Sequence, residues 1–132
     1  MQAIRPAKIL AVDDNESHRY ALERILRHAG FAVTVTGTAR ETLDRAKEIP
    51  DLIILDVNLP DSNGFEIYKS LKKDPDTARI PVIFLSASYD QSFGKQWARH
   101  LGAQEFLSYP ILPEQLTTIV NGVLARGISR LE

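Results

Sequence analysis

The chain has no cysteine. Disulfide frameworks, thiolate metal sites and a cysteine nucleophile are therefore excluded, and thiols say nothing about redox compartment. Long hydrophobic runs are missing too. Pure aliphatic stretches stop at four residues, as in Leu52-Ile53-Ile54-Leu55, so none is long enough to span a bilayer and no membrane partner is expected. Met1 to Lys8 lacks the apolar centre of a secretory leader, which makes a cytoplasmic setting the expectation. An excess of one charge is likewise absent. The 16 basic and 17 acidic residues leave a net charge of −1, against direct nucleic-acid binding over the whole surface. The phosphate loops G-x-x-x-x-G-K-[ST] and G-x-G-x-x-G do not occur. Nor does a G-x-S-x-G nucleophile elbow, so Ser86 does not read as a hydrolase serine.

What is there is 132 residues, 44% apolar and 25% charged, the profile of one soluble globular domain over 1–132 with a core from about 7 to 127. Charge is uneven along it: residues 1–66 hold 8 basic and 11 acidic side chains, residues 67–132 hold 8 and 6. Much of the acidic excess stands at the ends of apolar runs, at Asp13, Asp14 and Asp56.

Lys8 to Val12, Asp51 to Leu55 and Pro81 to Leu85 are apolar runs suited to strands buried on both faces. Phe31 to Thr36 is β-branched and half polar, like a peripheral strand, and Glu105 to Leu107 is a short fifth strand. Helical spacing fills the gaps. Leu22, Ile25, Leu26 and Ala29 share one face before Gly30. Thr38-Ala39-Arg40-Glu41 forms a capping box that opens a helix with Leu43 and Ala46 inward. Phe65, Tyr68 and Leu71 follow Asn63-Gly64, with Pro75 at the exit; Phe93, Trp97 and Leu101 precede Gly102. Pro113 opens a last helix with Leu116, Ile119, Val120, Val123 and Leu124 inward. Five strands alternating with five helices imply parallel pairing with helical crossovers. Placing the most apolar strands centrally predicts a flavodoxin-like α/β fold, a three-layer α/β/α sandwich with strand order 2-1-3-4-5.

In such a sheet, ligands bind beyond the carboxyl ends of the strands. Strand one ends in Asp13-Asp14, strand three in Asp56 and strand four in Ser86, all adjacent in the proposed order. Three carboxylates within about 5 Å repel by roughly 3 kcal/mol per pair at an effective dielectric of 20. A hard divalent cation held by oxygen ligands, of the Mg²⁺ kind, offsets that repulsion. The plainer reading, that Asp14 or Asn15 merely caps the following helix, stays open for those residues singly. His18, His28 and His100 fall on helices without metal-ligand spacing and read as ordinary surface or boundary residues.

Taken together, Val12-Asp13-Asp14, the run Leu55-Asp56-Val57-Asn58-Leu59-Pro60-Asp61-Ser62-Asn63-Gly64, the run Ile80 to Ala87 and Gly102-Ala103 carry a resemblance along nearly the whole chain. The chain resembles the receiver domain of bacterial two-component response regulators. The resemblance implies that Asp56 is the phosphoacceptor, taking a phosphoryl group from a phosphohistidine of a sensor histidine kinase or phosphotransfer protein. It implies Mg²⁺ ligation by Asp14, Asp56 and the Asn58 backbone carbonyl, with Asp13 orienting a metal-bound water. Ser86 fills the hydroxyl position that bonds the phosphoryl oxygen, and Phe106 the aromatic switch position. The face of the fourth helix, fifth strand and fifth helix is implied to carry output-domain or homodimer contacts. A cis bond is implied between Tyr109 and Pro110, where proline favours trans by only about 0.5–1 kcal/mol.

One residue departs from the family pattern. Tyr109 stands where the family places a lysine before the proline. The charge-assisted hydrogen bond that a lysine makes to a phosphoryl group, about 1.5–3 kcal/mol, is thereby missing. Three functions compete: a phosphoaccepting receiver that catalyses its own transfer and autodephosphorylation, a degenerate receiver acting as a phosphate-independent interaction module, and a small Mg²⁺-dependent phosphohydrolase. The last lacks a second acid two residues after the nucleophile, where Asn58 stands.

Overall fold

The computed structural model describes residues 5–87, 96 and 99–130, with backbone alone for 127–130. Its strands are β1 (Lys8–Val12), β2 (Ala32–Thr36), β3 (Leu52–Leu55), β4 (Val82–Ser86) and β5 (Glu105–Ser108). They form one parallel sheet in the order β2-β1-β3-β4-β5. The central strands β1, β3 and β4 are the continuous apolar runs, while β2 and β5 lie at the edges, as expected from their mixed composition.

Helices α1 (Glu16–His28), α2 (Ala39–Ala46), α3 (Gly64–Lys73) and a C-terminal helix (Pro113–Arg130) are delimited among the described residues. The fourth expected helix, around Phe93 and Trp97, lies mostly outside them; the backbone is helical at 99–101 before Gly102. With a φ of 91°, Gly102 sits in the left-handed region that glycine enters without steric cost. Two apolar layers sandwich the sheet. Leu10, Val12, Ile53, Leu55 and Phe84 face α2 and α3, whereas Ile9, Ala11, Ile54, Ile83 and Leu85 face α1 and the C-terminal helix. This is the alternation a parallel strand imposes on its side chains.

Local sequence signals set the helix starts. Asn15, Thr38 and Asn63 cap α1, α2 and α3, each accepting from the backbone N–H three residues on. Asn15 is thus the cap, and Asp14 is left free for other work. In the α2 capping box, Glu41 reaches the Thr38 hydroxyl and the Gly37 N–H. The inward face of α2 differs from expectation. Ala46 is buried, but Leu43 flanks the stripe and is exposed, while Thr42 points inward. Ala39, Thr42 and Ala46 define that stripe, and Leu43 lies well to one side of its centre at 100° per residue. Thr42 is tolerated because its hydroxyl bonds the Thr38 carbonyl and the Thr36 hydroxyl at 2.7 and 2.9 Å. The Tyr109–Pro110 bond is cis.

Candidate functional site

The register that pairs Val12 with Leu55 brings the ends of β1 and β3 level. The Asp56 N–H continues that ladder onto the Val12 carbonyl at 2.9 Å. Asp13, Asp14 and Asp56 therefore meet, each offering a carboxylate oxygen within 4.8 Å of the others. Asp13 and Asp56 are buried, at 2% and 6% exposure, and Asp14 is open to solvent. Hard anionic oxygens at this spacing fit a divalent cation with part of its water shell retained.

The backbone beneath the cluster depends on one glycine. A Cβ on Gly64 would run into the Asp56 carbonyl oxygen and lie 3.1 Å from the Val57 Cα. The Gly64 N–H meanwhile donates to the Val57 carbonyl at 2.7 Å. Glycine here lets the start of α3 press against the chain that carries Asp56. Asp61, in the same loop, accepts from the Ala39 and Arg40 N–H groups at 2.8 and 3.1 Å, tying the loop to the start of α2. Those bonds hold its carboxyl below the ordinary value.

Within the cluster, Asp56 is biased toward protonation. Burial first, then the charges of Asp13 and Asp14, push Asp56 up to about 7. Among the described residues, the Asn58 and Val57 N–H groups pull it down, and the Asn58 N lies 3.4 Å from Asp56 Oδ1.

Asp13 is held differently. Its Oδ1 accepts from the Asn15 N–H at 2.9 Å. Its Oδ2 accepts from the Tyr109 hydroxyl at 3.3 Å and lies 3.2 Å from His18 Nδ1. Because a carboxylate only accepts, the His18 proton facing it sits on Nδ1. The rings of His18 and Tyr109 stack with centroids 4.2 Å apart and planes 19° from parallel. Arg19 also donates to the Asp13 backbone carbonyl at 2.8 Å. Burial, the Asp13 charge and that hydrogen bond, then the Asp56 charge, raise the Tyr109 phenol above its ordinary value, so it remains a donor.

Ser86, 1% exposed, ends β4, and its carbonyl accepts from the Tyr109 N–H at 3.3 Å. Phe106 lies inward at 4% exposure, its ring 6.1 Å from Phe84. Asn58 is exposed beside Asp56 and forms a bridge with Asn63. Asp13, Asp14, Asp56, Asn58, Ser86 and Tyr109 thus follow or end strands at the carboxyl edge of the sheet, while Phe106 lies within β5 opposite Phe84. His18, read from sequence as an ordinary surface or boundary residue, is a boundary residue that also bonds Asp13, a contact the sequence reading did not foresee. Its position in the first turn of α1 holds the signal, because helical side chains lean toward the N-terminus, here toward the end of β1.

An open parallel sheet in the order β2-β1-β3-β4-β5, with an acidic pocket beyond β1 and β3, defines an α/β domain of the flavodoxin-like class. The response regulator receiver domain model matches residues 9–121, and the chain belongs to that family. Protein PilH of Pseudomonas aeruginosa is 35% identical over 120 residues, covering 90% of this chain and 98% of PilH. The polar-differentiation response regulator DivK of Brucella anthropi is 33% identical, over 86% of this chain and 94% of DivK. By contrast, the chain spans about half (49%) of the alkaline phosphatase synthesis transcriptional regulatory protein PhoP of Bacillus subtilis. Among solved structures, a response regulator of Chloroflexus aurantiacus superposes with a TM-score of 0.85 at 34% identity, over 92% of this chain and 99% of its own. Chemotaxis protein CheY4 of Vibrio cholerae gives 0.82 at 33%, over 90% and 99%. Receiver domains bind Mg²⁺ at an acidic pocket and interact with histidine kinases or phosphotransfer proteins and with output domains. No helix among the described residues is long and apolar enough to cross a membrane.

Proposed function

We propose that the chain is a phosphoaccepting receiver, one unit over 1–132 with its core at about 7–127, whose nucleophile is Asp56. The observation that carries this reading is the meeting of Asp13, Asp14 and Asp56 within 4.8 Å, with the buried Ser86 hydroxyl at the adjacent strand end. Asp14, Asp56 and the Asn58 carbonyl would hold Mg²⁺. Asp13 already accepts three hydrogen bonds, which leaves about one lone-pair site and suits it to orient a metal-bound water.

An Asp56 carboxylate oxygen attacks the phosphorus of a phosphohistidine. The new O–P bond forms as the N–P bond breaks, and the electron pair returns to the imidazole nitrogen. Bound Mg²⁺ supplies positive charge that keeps the carboxylates ionised and neutralises the phosphoryl oxygens. Ser86 donates to a phosphoryl oxygen. Its movement, with that of Phe106, biases a two-state partner-binding face along β5 and the C-terminal helix. Phe106 carries no hydroxyl to desolvate, so its inward position costs little. A sensor histidine kinase or phosphotransfer protein is the donor, and the setting is cytoplasmic.

Incubation with acetyl phosphate and Mg²⁺, followed by intact mass, tests the reading. One phosphoryl adduct on the parent chain, absent from Asp56→Asn, is expected; an adduct that persists in Asp56→Asn would place the nucleophile elsewhere. Amide exchange across 86–112 that is identical with and without the adduct would rule out the switch. The phosphate-independent module has Tyr109 in its favour, because a neutral phenol replaces the protein cation beside the phosphoryl group. A parent chain that binds Mg²⁺ yet takes up no adduct would establish it.

A further inference from the structure

Two donors converge on one oxygen of Asp13, and they come from opposite ends of the chain. His18 Nδ1 and the Tyr109 hydroxyl lie 3.2 and 3.3 Å from Asp13 Oδ2. Their rings are stacked at 4.2 Å, so neither side chain sits there independently of the other. His18 is one-third exposed and Tyr109 half-buried, while Asp13 is buried. The Asn15 N–H occupies the other oxygen. If the Tyr109 hydroxyl turns away, Asp13 still keeps a donor on each oxygen, and the buried carboxylate is not orphaned.

We infer that His18 is a positioning residue of the pocket: its Nδ1 satisfies Asp13 in place of Tyr109, and its ring holds the phenol so that the hydroxyl is released to donate to a phosphoryl oxygen on Asp56. The inference rests on the phosphoacceptor reading. A phenol has a single O–H, so it serves one acceptor at a time. A tyrosine that bonded a buried carboxylate alone would have to abandon it in order to reach the phosphoryl group. The second donor removes that cost. The stack removes another, because the ring stays fixed and only the O–H has to reorient. A neutral donor with a fixed ring thereby does part of the work for which the family uses a flexible cation.

The test follows the reaction of acetyl phosphate, in which the Asp56 oxygen bonds to phosphorus and acetate leaves with the electron pair. Adduct formation is timed by intact mass for the parent, Tyr109→Phe, His18→Ala, His18→Phe and Tyr109→Phe/His18→Ala at equal Mg²⁺. Tyr109→Phe keeps the stack and loses the donor, and a slowing of about five- to tenfold is expected, the worth of one neutral hydrogen bond. His18→Ala is expected to slow the reaction to a similar extent, and the double variant no further than either single one, because both remove the same donor. His18→Phe restores a stacking ring and is expected to recover part of the rate. In the metal-free protein, nuclear Overhauser contacts between the rings of residues 18 and 109 should be present in the parent and in His18→Phe. Calorimetric Mg²⁺ affinity should stay within about twofold of the parent in all variants, which also reports an intact pocket. A parent that takes up no adduct overturns both the phosphoacceptor reading and this one. An adduct that forms as fast in Tyr109→Phe and in His18→Ala as in the parent, or strictly additive slowing in the double variant, overturns this one alone.

Discussion

The two halves of the pocket are built on opposite principles. The half at the ends of β1 and β3 is anionic and rigid. The backbone that carries its carboxylates is fixed by a strand-to-strand hydrogen bond and the close approach of Gly64, and an Asx contact holds Asp13. The half at the ends of β4 and β5 is neutral, with the Ser86 hydroxyl, the Tyr109 phenol and an inward phenylalanine. Among the described residues, negative charge is therefore concentrated on one side without an equal cation facing it from the other. Burial first, and then that unbalanced charge, lift Asp56 to about 7. A pocket of this kind suits the proposed reading, in which a cation and a phosphoryl anion bind there together.

The comparison can be broken most completely at Asp56. Asp56→Asn is expected to abolish the phosphoryl adduct, since the amide offers no anionic oxygen as nucleophile. The same variant should make the metal-free protein more stable above pH 7. In the parent, the folded state holds a proton on Asp56 between about 4 and about 7 where the unfolded chain has lost it. Stability of the metal-free parent therefore falls as pH rises through that window. Urea denaturation in the presence of a chelator should show a gain of at least about 1 kcal/mol for Asp56→Asn at pH 8, the worth of one pKa unit, and little at pH 4. A stability profile equally steep in both proteins would remove Asp56 as the source.

Gly64→Ala attacks the rigid half through its backbone. The new methyl group has the Asp56 carbonyl and Val57 Cα in its way, and neither belongs to a side chain that can swing aside. Destabilisation of about 1–3 kcal/mol is expected in the same denaturation assay, as for other overpacked sites. Metal affinity offers a gentler probe. Calorimetric Mg²⁺ affinity should weaken as pH drops below about 7, because the proton and the cation compete for Asp56, and should be strongly reduced in Asp14→Ala. Unchanged binding in both Asp14→Ala and Asp56→Ala would move the metal elsewhere.

Tyr109→Lys sharpens the contrast from the neutral side. A cation placed opposite the carboxylates should raise the yield or lifetime of the adduct by about tenfold at matched Mg²⁺, the difference between a charged and a neutral donor. Phosphorylation no better than in the parent would show that the phenol already suffices. The smallest effect belongs to Asp61→Ala, which frees the Ala39 and Arg40 N–H groups at the start of α2. Faster amide exchange confined to those two positions, with adduct formation unchanged, is the expected result.

Much of this arrangement was legible in residue order because it depends on neighbours in the chain. Apolar runs closed by aspartate mark strands whose ends carry charge, and Asn15, Thr38 and Asn63 announce helix starts through hydrogen bonds that span three residues. The strand order followed from which runs could tolerate two buried faces. Leu43 was misplaced for a related reason. Its apolar character reads as inward, but the buried hydroxyl of Thr36, brought alongside by β2, makes the polar Thr42 the better fit.

What the sequence by itself determined, then, is which side chains stand at the ends of the strands, since parallel α/β topology puts every strand's carboxyl end on one edge of the sheet. What only the tertiary structure decided is how the two halves of the pocket meet. Tyr109 and Asp13 are 96 residues apart, and neither carries a local signal for the other. The sheet carries β5 past β4 and folds the chain back over the end of β1, where the first turn of α1 already leans His18 toward the same spot. Hydrogen bonds of that kind depend on the packing of three separate elements against one core, and no periodicity along the chain encodes them.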